Sequence, residues 1–282
     1  MRIEMKSVIL KIIALLLPLF SGCASLPSFP LTGGSTSVEK IITYDAKKNI
    51  DRDVDVVIYK PKVINSQRPG LIVMSGCDGG HWRVHQEVVK ELNSIGVVIA
   101  EVNSIKTYGN QCLSSTLGGS ARAEHAFLAK DLLVNMGLVE KHNVGLLGLS
   151  HGGWTAIHTS KMDVQHHFLS KLKNPEPFSA AVALYPWCDI WTTRRATSNP
   201  LLILAGSADT WCPVEQCEQI VRDDPNVTIH TYEGATHAWD APFSGRVMPT
   251  HKGTTYMAYD HKVTSDSTSR SLEFFRKYLR LK

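Results

Sequence analysis

Short apolar runs alternate along this chain with longer segments in which apolar residues recur at helical spacing. GLIVMSG (70–76), VVIAEVN (97–103), NVGLLGLS (143–150), FSAAVALYPW (178–187), PLLILAGSAD (200–209) and NVTIHTYEG (226–234) read as strands, the first of them suited to burial on both faces. Two further strands, IITYDA (41–46) and VDVVIYKP (54–61), open the series, joined by the polar KKNIDRD. Helical spacing appears in 84–96 and 120–137, each closed by glycine, and again in 152–161, 213–223 and 265–281. Strands alternating with helices predict an α/β protein with a mostly parallel central sheet and helices on both faces. In such sheets, chemistry collects at the carboxyl ends of the strands. KMDVQHHFLSKLKNPEP (161–177) reads either as a small cap over those ends or as a surface loop.

The first 38 residues depart from this rhythm. Arg2, Lys6 and Lys11 flank the apolar IIALLLPLF, which runs into Ser21, Gly22 and Cys23. A basic start, an apolar centre and a small-residue exit describe a secretory signal peptide over 1–22. The run is too short to span a bilayer, which takes about 20 apolar residues as a helix. FSGC resembles the lipobox of bacterial lipoproteins, with Phe20 where leucine is usual; that resemblance implies lipid on Cys23. An ordinary signal peptide cut elsewhere is the alternative. The Ser-, Pro- and Gly-rich stretch that follows suits a tether over 23–38, leaving 39–282 as the domain. The expectation is a protein of the bacterial cell envelope, periplasmic and lipid-anchored to a membrane.

Composition narrows the class without naming it. The formal charge is only +4 and part of it sits in the leader, so scattered Lys and Arg give no case for nucleic acid. Besides Cys23 there are Cys77, Cys112, Cys188, Cys212 and Cys217. An oxidising compartment pairs most of these and an odd count leaves at least one free. None has the doubled C-x-x-C spacing of structural zinc. His81 and His85 stand one helical turn apart and His166 and His167 are adjacent; histidines so spaced are more often surface or core residues, and no metal is inferred.

Candidate chemistry enters at Gly148, Ser150 and Gly152. They form G-x-S-x-G between a strand and a helix, the context in which that motif makes a sharp turn exposing a nucleophilic serine. A serine needs a base to take its proton, and His237, in the loop YEGATHAWD after the last strand, can reach back over the sheet end. Asp209 closes LLILAGSAD and has the position for the acid that orients the histidine. Asp189, after LYPWC, is its rival, while Asp240 stands so near His237 that it better suits a role in loop shape. Acyl transfer also needs two backbone N–H groups for the carbonyl oxygen. His151 supplies one, and Cys77 in SGCDGG the other, with Asp78 the alternative. Trp154, Trp187, Trp191, Trp211 and Trp239 are candidates either for pocket walls or for core packing.

With SGCDGG, GLSHGG, LYPWC, GSADTWCP, YEGATHAWD and a closing helix in hand, the chain from about residue 40 onward resembles the dienelactone hydrolase-like branch of the α/β-hydrolases. The resemblance implies the α/β-hydrolase fold and the order Ser150, Asp209, His237. It also implies a Cys77–Cys112 disulfide and a Cys188–Cys217 disulfide with Cys212 free, a Cys212–Cys217 loop being the alternative. Two features depart from the family pattern. Ser75 stands where many relatives have histidine, and dienelactone hydrolase proper uses a cysteine nucleophile where this chain has Ser150. Serine members look like carboxylesterases and carbohydrate-ester deacetylases.

The expected function is therefore hydrolysis of a small-molecule or carbohydrate ester through an acyl-enzyme, with no metal or organic cofactor. A peptidase or acyltransferase could use the same triad, and a non-catalytic envelope binding protein could use the same scaffold.

Overall fold

The computed structural model describes residues 34–45, 48–63, 66–80, 82–109, 117–189, 196–221, 224–242, 245–250 and 253–281. The leader, Cys23, His81, Cys112 and Trp191 lie outside them. Eight strands form one sheet: β1 (Thr36–Asp45), β2 (Ile50–Tyr59), β3 (Arg68–Met74), β4 (Val98–Val102), β5 (Val139–Leu149), β6 (Ala180–Leu184), β7 (Leu201–Gly206) and β8 (Val227–Tyr232). Their order is β1-β2-β4-β3-β5-β6-β7-β8. β1 and β2 pair antiparallel with each other and β2 antiparallel with β4; every other neighbour is parallel. This is the α/β-hydrolase arrangement. β1 starts at Thr36, opposite Tyr59, so the end of the segment read as tether belongs to the sheet: backbone pairing with β2 draws in polar residues that no apolar pattern marks.

The strand interiors explain why so many runs are continuously apolar. Alternate side chains point to opposite faces, and both faces are covered. Ile72, Met74, Leu146, Ala181, Ala183 and Ile203 face one apolar layer. That layer is built with α3 (Gly119–Asn135), α4 (His151–Ser160), α5 (Met162–Leu169) and α6 (Val214–Val221). Leu71, Val73, Leu147, Leu149, Val182 and Leu204 face the other, built with α1 (Arg83–Ser94) and α7 (His261–Tyr278). Each fully buried aliphatic side chain contributes about 1.5–3 kcal/mol, so the central strands are the anchor on which loop geometry rests.

Helix ends are set by local chemistry. α7 begins where the Asp260 carboxylate accepts from Val263 N–H at 3.0 Å. α1 buries Val84, Val88, Val89 and Leu92 and ends before Gly96, whose φ of 99° favours glycine. α3 is less regular: its buried face carries Arg122, His125 and Lys130 beside Ala123, Ala126 and Phe127. α2 is a single turn (Ser104–Thr107).

Two elements differ from the sequence pattern. The 161–177 segment contains α5, which lies against α3 and α4 rather than over the strand ends. An unforeseen hairpin, β9 (Arg246–Thr250) with β10 (Gly253–Met257), pairs only with itself. Among the described residues no helix is long and apolar enough to cross a membrane.

Candidate active site

β5 delivers Ser150 onto a turn that few side chains tolerate. Ser150 has φ 52° and ψ −114°, outside the usual range for a non-glycine residue, a strain of about 1–3 kcal/mol. It is held there by its N–H donating to the Leu184 carbonyl at 2.9 Å, at the end of β6. The flanking glycines are required by close approach. A Cβ on Gly148 would stand 2.0 Å from the Gly152 carbonyl oxygen, and one on Gly152 would stand 1.9 Å from the Met74 carbonyl oxygen. Glycine there lets α4 start directly against the end of β3.

The Ser150 Oγ lies 2.9 Å from His237 Nε2, and His237 Nδ1 lies 2.7 Å from Asp209 Oδ2. A carboxylate only accepts, so Nδ1 carries a proton, and in the neutral ring, the form that acts as a base, Nε2 accepts from the serine hydroxyl. The other Asp209 oxygen accepts from the N–H groups of Trp211 (2.9 Å) and Cys212 (2.8 Å), which fixes the carboxylate's plane. Burial disfavours a charged His237, but the Asp209 carboxylate against Nδ1 and the Cys212 sulfur outweigh it and hold the ring above its ordinary range. Tyr185 and Trp211 pack against the imidazole, each with its centroid 5.0 Å away.

Asp240 has a different task. It accepts from Tyr185 OH at 2.8 Å and from Val84 N–H at 3.0 Å. It thereby ties the histidine loop to β6 and to the start of α1. Burial pushes its carboxyl up to about 6, against the hydrogen bonds that favour the anion. Asp189 is absent from the histidine's partners, because Nδ1 is taken by Asp209.

The loop after β3 passes beside the serine: a Cβ on Gly76 would sit 3.4 Å from Ser150 Cβ. Gly76, Cys77 and Asp78 line a hollow of about 270 Å³ that also takes in Ser150 and His237. His151 opens α4, where backbone N–H groups lack helical acceptors. Trp82 and Trp211 form aromatic walls, and the β9–β10 hairpin adds Arg246, Met248 and Met257. Trp154 and Trp187 instead stack on each other, and Trp239 is a core residue whose Nε1 donates to Ser267. Trp82 and the hairpin residues were absent from the expected walls; their only sequence signal was nearness to SGCDGG and to YEGATHAWD.

Cys188 and Cys217 form a disulfide, Cys77 is also disulfide-bonded, and Cys212 is a buried thiol outside any disulfide. One ligand atom each from Asp209, Cys212 and His237 falls within 4.8 Å of the others, the described residues' one candidate cluster for a metal ion. Asp209 and His237 spend those atoms on each other, so the cluster reads as an acid–base pair with a thiol alongside. His85 is buried and bonded to Glu101 at 2.7 Å, and His167 on α5 contacts Lys171 just beyond the helix end; His81 lies outside the described residues.

No curated protein matches the chain. Solved structures share its fold. A protein from Klebsiella pneumoniae named a putative dienelactone hydrolase has a TM-score of 0.56 at 15% identity, covering 86% of this chain and 100% of its own. Thermogutta terrifontis esterase 2, phosphorylated by paraoxon, has 0.61 at 16%, covering 89% and 97%. A dienelactone hydrolase-like promiscuous phosphotriesterase from metagenomic libraries has 0.60 at 16%, covering 87% and 100%. The model of the dienelactone hydrolase family matches residues 54–279, from β2 to the end of the closing helix. With the eight-stranded sheet order, that match places the chain in the dienelactone hydrolase family.

Proposed function

We propose that this member of a hydrolase family is an exported serine esterase that cleaves carboxylic esters of small molecules or carbohydrates through an acyl-enzyme. One observation carries the reading: the Ser150–His237–Asp209 chain, with contacts of 2.9 and 2.7 Å, opens on a pocket that both Ser150 and His237 line.

The chemistry follows from those contacts. Ser150 Oγ bonds to the ester carbonyl carbon as its proton passes to His237 Nε2. The backbone N–H groups of His151 and Cys77 receive the developing oxyanion. Collapse of the tetrahedral species breaks the carbon–oxygen bond to the leaving group, and His237 returns its proton to the departing alcohol. Water then attacks the acyl-serine, giving its proton to His237, and Ser150 leaves reprotonated with release of the acid. Asp209 keeps its contact with Nδ1 and stabilises the transient imidazolium. The aromatic and methionine walls favour an apolar substituent, while Arg246 and Asp78 add polar contacts at the pocket.

The test pairs the purified domain with Ser150→Ala. Wild type is expected to hydrolyse p-nitrophenyl acetate and butyrate and to be labelled by a fluorophosphonate, and the variant to do neither. A folded wild type that neither labels nor turns over would sink the esterase reading in favour of a binding scaffold. Faster turnover of peptide or thioester substrates would reassign the same triad to a peptidase or an acyltransferase.

A further inference from the structure

Arg122 sits in the first turn of α3 with no exposed surface, and nothing in the triad accounts for it. Its Nη2 donates to the Ser75 carbonyl at 2.9 Å and its Nη1 to His151 Nδ1 at 3.0 Å. Its Nε is buried with no partner. Both acceptors are neutral: one is a peptide carbonyl, the other an imidazole kept uncharged by burial and by the guanidinium itself. Burial alone acts on the Arg122 charge, lowering its pKa to about 9, and no carboxylate offsets it. Buried cations are normally paired, because an isolated one costs several kcal/mol.

The two anchors explain the placement. Ser75 is two residues before Cys77, and His151 itself follows the nucleophile, so Arg122 grips both halves of the proposed oxyanion hole. We infer that Arg122 is the positioning residue of that hole: it fixes the loop after β3 against the first residue of α4, and its unpaired charge favours the anion that forms there. This rests on the esterase reading above. Arg122 touches no substrate and acts through Ser75 and His151. The geometry needs arginine's fork, since a lysine ammonium is a single point charge on one stem.

The experiment compares wild type with Arg122→Met, Arg122→Gln and Arg122→Lys, with active sites counted by fluorophosphonate and folding followed by thermal midpoint. Readouts are kcat and KM for p-nitrophenyl acetate and Ki for a trifluoromethyl ketone, whose serine adduct puts an oxyanion in the hole. Arg122→Met is expected to lose about 10²-fold in kcat per titrated site. KM should change little, Ki should rise in parallel with the loss, and Arg122→Lys should fall between. A purely structural arginine would lower the thermal midpoint and the titrated fraction, leaving kcat per site and Ki alone; that outcome overturns the inference. If Arg122→Met does not fold, Arg122→Gln, similar in shape but uncharged, carries the same comparison under the same criterion. A wild type without labelling or turnover overturns the esterase reading and this inference together; an active wild type with an unimpaired folded variant overturns this inference alone.

Discussion

Asp209 uses one carboxylate oxygen to hold His237 and the other to accept two backbone N–H groups, so its rotation is fixed before any substrate arrives. A base works only when unprotonated, so kcat/KM should rise with pH through the His237 midpoint. Because the Asp209 carboxylate raises that midpoint above 6.5, the rise is expected on the alkaline side of 6.5 in wild type. Asp209→Asn should move the midpoint down and lower kcat at the optimum by about 10⁴-fold, since the amide favours the wrong tautomer. A pH profile of kcat/KM for both proteins checks this, and an unmoved midpoint would deny Asp209 its electrostatic role. That Ser150, His237 and Asp209 would converge was legible in the sequence because each follows an obvious strand and so lies at the same end of the sheet. Arg122's part was not: it lies in a helix whose buried face mixes Arg122, His125 and Lys130 with alanines, so its burial is invisible until α3, α4 and β3 are assembled. Tyr185 was hidden for the same reason, its ring reaching His237 and its hydroxyl reaching Asp240 only across the fold.

Among elements, the β9–β10 hairpin puts Arg246, Met248 and Met257 into the wall of the pocket. It pairs only with itself and is tied to the body through Thr210 Oγ1 and Thr255 Oγ1 at 2.8 Å. It escaped the sequence reading because RVMPT puts two apolar residues side by side instead of alternating apolar with polar, and contains Pro249, a residue that usually argues against a strand. The 161–177 segment, one of whose readings was a cap, instead buries Val164 and Phe168 against the helical layer. Its apolar residues could not tell these partners apart. Met248→Ala should enlarge the pocket at the hairpin wall. A methylene newly accommodated is worth about 0.8 kcal/mol, or about fourfold. The kcat/KM ratio for hexyl over methyl groups should therefore rise about threefold to tenfold, in a series varied in either the acyl or the alcohol chain. If both series keep their wild-type ratios while the thermal midpoint is unchanged, the hairpin does not face the substrate.

For the whole molecule, the fold was readable because its central strands are buried on both faces and so announce themselves as apolar runs, while the helices between them keep one apolar side. What lies before Thr36 obeys other rules, and its proposed role depends on reach. From Cys23 to the start of β1 the chain can extend about 40 Å. A domain on such a leash would work on substrates well clear of the lipid headgroups, so its turnover should not depend on the anchor. One acyl chain holds a protein to a bilayer only weakly, whereas two or more hold it firmly, which is why lipid on Cys23 would give an all-or-none distribution. Expressed from the full gene in a bacterium, wild type should incorporate labelled palmitate and partition into the detergent phase of Triton X-114. Cys23→Ser should do neither, yet hydrolyse p-nitrophenyl acetate with an unchanged kcat. Palmitate-free, aqueous-phase wild type would leave an ordinary cleaved signal peptide as the reading of 1–22, and a Cys23→Ser enzyme with altered kcat would mean that the leash and the site are coupled after all.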